Sequence, residues 1–364
     1  MSKVMTVLGE IDSKDLGYTS MHDHILVDLS YWKDEFKALV PNINEDKLKV
    51  QGQNISYLRK GYFSASSDSV CLNDVDLASE EISHFKNAGG SAIVEVSPGG
   101  IRGNIEDLKK VSENAGVHII ASAGLYCEGS WPQKCVDMSI SELQAHIEKE
   151  IYEGIDGTHI KAGHIKIACN NLTELEEKAL RVGAQASKKS GLVLQVHTGL
   201  LSMDIQDTLR MVDIAVKEEG MDPKKLIMCH IDLKILKSLA IKEFILEHDT
   251  ATQLLLEPVR QILNKGVNIG FDTFGSNWGT EIAGQRLPTD YERIRALFPL
   301  IKEGYSKQIV LGNDLFVKFS YRKYGGEGYT RVLDFVLPML KELGVLEEDI
   351  QNMMVNNPAR LLEY

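Results

Sequence analysis

Eight short apolar, β-branched runs recur along this chain, and a longer amphipathic stretch separates most of them from the next. The runs are YTSMHDH (18–24), SAIVEV (91–96), VHIIASAG (117–124), HIKIA (164–168), LVLQVH (192–197), LIMCH (226–230), VNIGFD (267–272) and QIVLGND (308–314). Between them, DVDLASEEISHFKNAGG (74–90) and NLTELEEKALRVGAQASKKSG (171–191) repeat apolar residues at three and four spacing and stop at glycine. Such alternation is the pattern of βα units around a parallel sheet. Eight units with no linker or break in composition predict one (β/α)8 TIM barrel over residues 1–364 rather than an open sheet. Residues 25–90 make a long gap between the first two runs, and LSYWKDEFKALVPNINEDKLKV within it predicts an inserted helical excursion. The stretch DTFGSNWGTEIAGQRLPTD (272–290) is irregular and follows the seventh run, where barrel loops line the catalytic face.

Charge narrows the partners. The formal net charge is −12 with acids and bases interspersed, so the clustered Lys/Arg that nucleic acid or an anionic membrane surface requires is lacking. The five cysteines never fall in a C-x-x-C spacing, which argues against a disulfide framework or a structural zinc knuckle. MSKVMTVLGE lacks the apolar core of a signal peptide, and no apolar run reaches the roughly 18 residues that span a bilayer. The expectation is a reduced, cytoplasmic protein with a small-molecule substrate.

The polar residues at the ends of the runs are of particular types. Run one ends in His22-Asp23-His24, run five in His197, run six in His230, run seven in Asp272 and run eight in Asp314, while Lys166 sits inside the apolar HIKIA. Side chains two apart on a strand point the same way, so His22 and His24 face the barrel mouth together. A lone strand histidine is more often a hydrogen-bonded core residue than a ligand. Four of ten histidines at three strand ends, with a closing aspartate, point instead to a divalent-metal centre. Imidazole and carboxylate suit zinc first, and also manganese, cobalt or iron(II), with no thiolate needed. An ammonium at Lys166 would repel a cation. A neutral amine could capture carbon dioxide and become a carbamate, an anionic two-oxygen ligand able to bridge two metals. The other reading is a structural lysine paired with Asp314 or another carboxylate.

These residues resemble the phosphotriesterase-like branch of the amidohydrolase superfamily, close to the phosphotriesterase-related proteins. TVLGEIDSKDLGYTSMHDHILVD resembles that family's opening with its H-x-H, and AGHIKI its strand-four segment with a carboxylated lysine. VHTG and CHID resemble the strand-five and strand-six histidines, LGNDLFVKFSYRKYGGEGY the strand-eight aspartate and loop, and NNPARLL the start of the closing helix. Physically, NNPARLL reads as an asparagine cap with proline at the first helical position. The resemblance implies two divalent cations, one held by His22, His24 and Asp314 and the other by His197 and His230. Carboxylated Lys166 and a hydroxide would bridge them, and Asp314 would carry the proton towards the leaving group. It also implies a homo-oligomer, dimer or tetramer.

A polarised oxygen and an oxygen leaving group are shared by carboxylate esters, lactones and organophosphate or phosphonate esters, and a metal-dependent hydrolase of these is the leading expectation. Amide hydrolysis, or lactone hydrolysis on a phosphorylated sugar, is the alternative within the superfamily, and a metal-binding barrel without turnover is the alternative outside enzymes. Two departures from the family pattern bear on the substrate. Thr273 stands where phosphotriesterases with a proton relay place a histidine, and Ser276 stands where lactonases of phosphorylated sugars place an arginine. Without that guanidinium fork a phosphate loses its bidentate partner. Tyr126, Trp131, Asp272 and Trp278 are the candidate substrate contacts. Cys127 and Cys169 are expected to be buried structural thiols, and Cys229 to point away from His230 into the helix layer. YGGEGYTRV (324–332) reads as a structural turn, and Lys318 and Arg322 as either solvent-facing or anion-binding.

Overall fold

All eight runs become strands, joined edge to edge in parallel. In the computed structural model, which describes residues 2–35, 45–199, 204–237, 248–277 and 287–364, strand 1 is Thr19–Asp23, strand 2 Ala92–Glu95 and strand 4 His164–Cys169. Strand 5 is Leu194–Thr198, strand 6 Leu226–Met228, strand 7 Asn268–Phe271 and strand 8 Ile309–Leu311. Strand 3 is interrupted at Ala121: His118–Ile120 pairs with strand 2, and Ser122–Leu125 pairs with strand 4. The break splits the hydrogen-bonded ladder into a three-stranded and a six-stranded piece. Strands 8 and 1 close the ring, with Asp314 N donating to His22 O at 2.9 Å and His24 N donating to Leu315 O at 3.1 Å. The result is the (β/α)8 barrel.

Closure leaves no room at one point. A Cβ on Gly312 would stand 2.8 Å from both Cβ and O of His22. Gly312→Ala is therefore expected to push strand 8 off strand 1, costing about 1–3 kcal/mol of stability by overpacking. Urea unfolding of the pair would measure it, and an unchanged midpoint would show that the seam yields freely.

The outer helices start and stop where their caps dictate. Helix Val75–Asn87 opens with the Asp74 carboxylate accepting from Leu77 N. Helix Glu174–Ser190 opens on a Thr173–Glu176 capping box and ends at Gly191 with φ 78°. NNPARLL differs from expectation. Asn356 has helical backbone (φ −71°, ψ −44°) and makes no side-chain cap, because the chain is already helical from Glu347 through a wide turn at Asn352–Asn356. Asn357 instead ties this helix to the barrel floor, donating to Ser306 O and Ile309 O at 2.8 Å each.

The helical excursion expected over residues 29–50 is described only at its two ends, with helix at Trp32–Glu35 where the described residues break off. Beyond it the insertion runs through the short turns Ile55–Leu58 and Ser67–Val70, held by a two-residue antiparallel pair of Val27–Asp28 with Cys71–Leu72. Residues 36–44 of that segment lie outside the described residues. No described helix is long and apolar enough to cross a membrane.

Candidate metal centre

Parallel strands deliver their last residues to one rim, and the six candidate ligands meet there, all buried. Asp314 Oδ1 lies 3.4 Å from His22 Nε2 and 3.5 Å from His24 Nε2, and Lys166 Nζ lies 3.4 Å from His22 Nε2. On the other side, His197 Nδ1 and His230 Nε2 face each other at 2.9 Å. The His22 and His230 rings, 4.8 Å apart, join the two halves. Two nitrogens on one tetrahedral zinc, each about 2.05 Å from it, stand about 3.3 Å apart. The observed separations are close to what a shared cation requires.

Lys166 is fully buried on strand 4, and among the described residues no carboxylate lies within ion-pair distance of it. Its neighbours are His22 and Cys229 Sγ, the latter at 3.5 Å. The reading as a structural ion pair with Asp314 therefore finds no partner, whereas a buried amine among ligands suits a carbamate. Cys229 does not point into the helix layer as alternation predicts. It lies inside the barrel, 3.8 Å from Gln195 Oε1, because strand 6 ends at Met228 and His230 turns left-handed with φ 61°. Asp314 does the same at φ 48°. Both residues leave the strand geometry at the points where their side chains must reach inward.

Asp272, expected as a substrate contact, serves the histidines. It is 1% exposed; Oδ1 accepts from His230 N at 3.0 Å and Nδ1 at 2.9 Å, and Oδ2 lies 3.0 Å from His22 Nδ1. Both of its oxygens thus face imidazoles. With Nδ1 of His230 committed to the carboxylate, its Nε2 presents the lone pair.

For His22, His197 and Asp314 the electrostatics favour the forms that bind cations, and for His230 they do not. Burial, helped by Lys166, pushes His22 down to about 4, and burial with His230 pushes His197 well below the usual imidazole range. Burial alone would raise Asp314, but the surrounding imidazoles, His230 first and then His24 and His22, outweigh it and hold the carboxyl at about 2. Asp272 is likewise held well below its usual range by His230 and His22 against burial. His230 moves up because Asp272 and Asp314 outweigh its desolvation.

Tyr126 sits beside the centre, its ring 5.3 Å from that of His197. Trp131 is buried, and its Nε1 donates to Tyr126 O at 2.7 Å, so it fixes the loop that presents Tyr126. Trp278 lies outside the described residues. Cys127 and Cys169 are buried thiols, and none of the five cysteines forms a disulfide. Lys318 pairs with Asp68 and Arg322 with Asp334, which leaves neither as an open anion site. The YGGEGYTRV segment is structural: Tyr329, fully buried, donates to His24 O at 2.8 Å.

Several supporting residues carry no sequence signature. Asp23 is buried, accepts from Ser20, Asn313 and Leu315 N, and so clamps strand 1 to the strand-eight loop. Arg293 is fully buried; its Nε donates to Asp232 at 3.1 Å and Thr273 Oγ1 at 2.9 Å, and its Nη1 to Asp290 at 2.9 Å. Thr273, in the relay-histidine position, thus has its hydroxyl committed to Asp232.

A parallel barrel with imidazoles, a lysine and carboxylates gathered at the C-terminal ends of its strands defines a barrel hydrolase. The phosphotriesterase family profile matches residues 2–362, and the chain belongs to that family. Curated relatives align end to end. The N-acetyltaurine hydrolase of Dictyostelium discoideum is 30% identical over 392 residues, spanning 100% of this chain and 98% of that protein. That of Homo sapiens is 30% identical over 370 residues, with 100% and 98% covered. A resiniferatoxin-binding protein from Rhodobacter sphaeroides superposes with a TM-score of 0.84 at 30% identity, covering 99% of this chain and 94% of that one. A lactonase from Listeria monocytogenes superposes at 0.76 with 21% identity, covering 99% of each, and speaks for the fold alone.

Proposed function

We propose that the protein is a metal-dependent hydrolase with two divalent cations at the barrel rim, acting on the acyl–nitrogen bond of small N-acyl amides. The observation that carries the metal reading is the convergence of His22, His24 and Asp314 on one side and His197 and His230 on the other, around a buried lysine without a carboxylate. Whole-length similarity to proteins named N-acetyltaurine hydrolase favours the amide, the bond that the residue pattern alone placed second.

His22, His24 and Asp314 would hold one cation, His197 and His230 the other, and carboxylated Lys166 would be shared. Bound there, cations polarise the scissile carbonyl and bring the pKa of water from 15.7 down to about 7. The chain's own groups do the rest. Asp272 keeps His22 and His230 in register. Asp314 Oδ1 faces two imidazoles, which leaves Oδ2 to take the proton of the attacking water and return it to the departing nitrogen. Tyr126 walls the substrate side beside His197. Water thus divides across the C–N bond, its hydroxyl to the acyl carbon and its proton to the amine.

A second reading, hydrolysis of carboxylate esters or lactones, is favoured by Thr273. With its hydroxyl tied to Asp232 and no imidazole beside it, the site has one fewer proton donor, and acidic alcohols leave without one.

Stripping with a chelator is expected to remove activity, and zinc or manganese to restore it, with about two ions per chain by elemental analysis once reloaded. Turnover should favour N-acetyl amino-sulfonates and N-acetyl amino acids over aryl acetates and γ-lactones. Activity that survives complete removal of metal would refute the metal reading. A reversed substrate order would move the conclusion to esters.

A further inference from the structure

His24 turns its far nitrogen to a hydroxyl, where His22 and His230 turn theirs to Asp272. Its Nδ1 meets Ser97 Oγ at 2.7 Å, and Ser97 Oγ meets Glu95 Oε1 at 2.5 Å. Glu95 ends strand 2; it is 1% exposed and touches none of the six candidate ligands through a hydrogen bond other than by way of Ser97. Its carboxylate also accepts from Ser97 N at 3.1 Å and Ile25 N at 3.3 Å. Burial pushes this carboxyl above its usual range, and His24 with the donors from Ser97 and Ile25 pulls it back; the ionised form is the one that uses all three donors.

With Glu95 ionised, the proton count along this chain has one solution. An ionised carboxylate has no proton to give, so the single hydroxyl proton of Ser97 points at Glu95. Ser97 Oγ is then an acceptor towards His24, and Nδ1 must carry the imidazole proton. A neutral imidazole has only one N–H, so the lone pair falls on Nε2, the atom 3.5 Å from Asp314 Oδ1. Tyr329 and Leu315 fix the backbone of the same residue from the other side, through His24 O and N.

From this we infer that Glu95 is a positioning residue: acting through Ser97, it selects the tautomer of His24 that can bind a cation and supports that nitrogen with negative charge. The inference rests on the proposed metal centre for its consequence, but the tautomer itself can be read in metal-free protein.

The test uses full-length protein with 15N-labelled histidine, stripped of metal. In the wild type, the His24 resonances should show a protonated Nδ1 and an unprotonated Nε2. In Glu95→Gln the amide can donate to Ser97, turning its hydroxyl towards His24, so the Nε2–H form should become populated. Zinc affinity at the weaker site should fall by about 10- to 100-fold by competition with a chromophoric chelator. Ser97→Ala should lower affinity similarly, and Ser97→Thr, which keeps the hydroxyl, should restore it. An Nε2–H tautomer in the wild type would overturn the inference, as would a folded Glu95→Gln with wild-type tautomer and zinc affinity. A wild type that binds no zinc yet shows Nδ1–H would sink the metal reading and leave the proton chain standing.

Discussion

Replacing Lys166 with alanine is expected to lower bound metal from about two ions to one or fewer and to cut hydrolysis by on the order of 10²- to 10³-fold or more. The amine is fully buried on strand 4, in register with Gln195 of strand 5, and reaches His22 Nε2 at 3.4 Å. Left as an ammonium it would oppose cations, so loading the wild-type protein should depend on carbon dioxide. Reconstitution in bicarbonate-free buffer should be slower and less complete than with bicarbonate added. Lys166→Ala should show no such dependence. Elemental analysis and turnover, with and without bicarbonate, check both halves. A Lys166→Ala protein that loads two ions would remove the carbamate from the scheme.

Arg293→Met should be the most damaging single change away from the rim, costing about 3–5 kcal/mol, because it leaves a buried ion network without its cation. The guanidinium is wholly buried and joins Asp232, Thr273 and Asp290, while Asp290 also holds Arg331 and the Gly275 amide. The loss should depend on pH with a definite sign. Burial, with Asp272 adding to it, raises Asp232 to about 6 from 3.8, and Arg293 pulls it back. A carboxyl raised in the folded state favours folding at low pH and loses that advantage as pH rises through its folded value. Without Arg293 the value climbs further, so the variant should suffer more at pH 8 than at pH 5. Urea unfolding of both proteins at the two pH values tests this. Equal losses at both would mean that Asp232 is not the charge left stranded.

The features legible in the sequence were those written in local periodicity. Buried parallel strands need continuous β-branched runs, and all eight runs are strands; the H-x-H of residues 22–24 follows because side chains two apart share a face. The insertion before strand 2 was legible as an insertion, but its turns at Ile55–Leu58 and Ser67–Val70 were not, since four-residue helices leave no period. Cys229 was misread because alternation presumes extended backbone, and the left-handed His230 ends it. Asp272 was misread because a carboxylate at a strand end looks the same whether it faces substrate or imidazole. Tyr329 and Arg293 act through partners far along the chain, His24 for Tyr329 and Asp232 for Arg293, and no window of sequence holds both members of such a pair.

His230 and Asp314 both occupy backbone that glycine alone adopts freely, at φ 61° and 48°. A side chain held there costs about 1–3 kcal/mol. Selection for thermal robustness alone would therefore drift towards glycine at these two positions and arrive at a sturdier, inert barrel. Engineering campaigns that screen on melting temperature should expect that trade and hold both codons fixed.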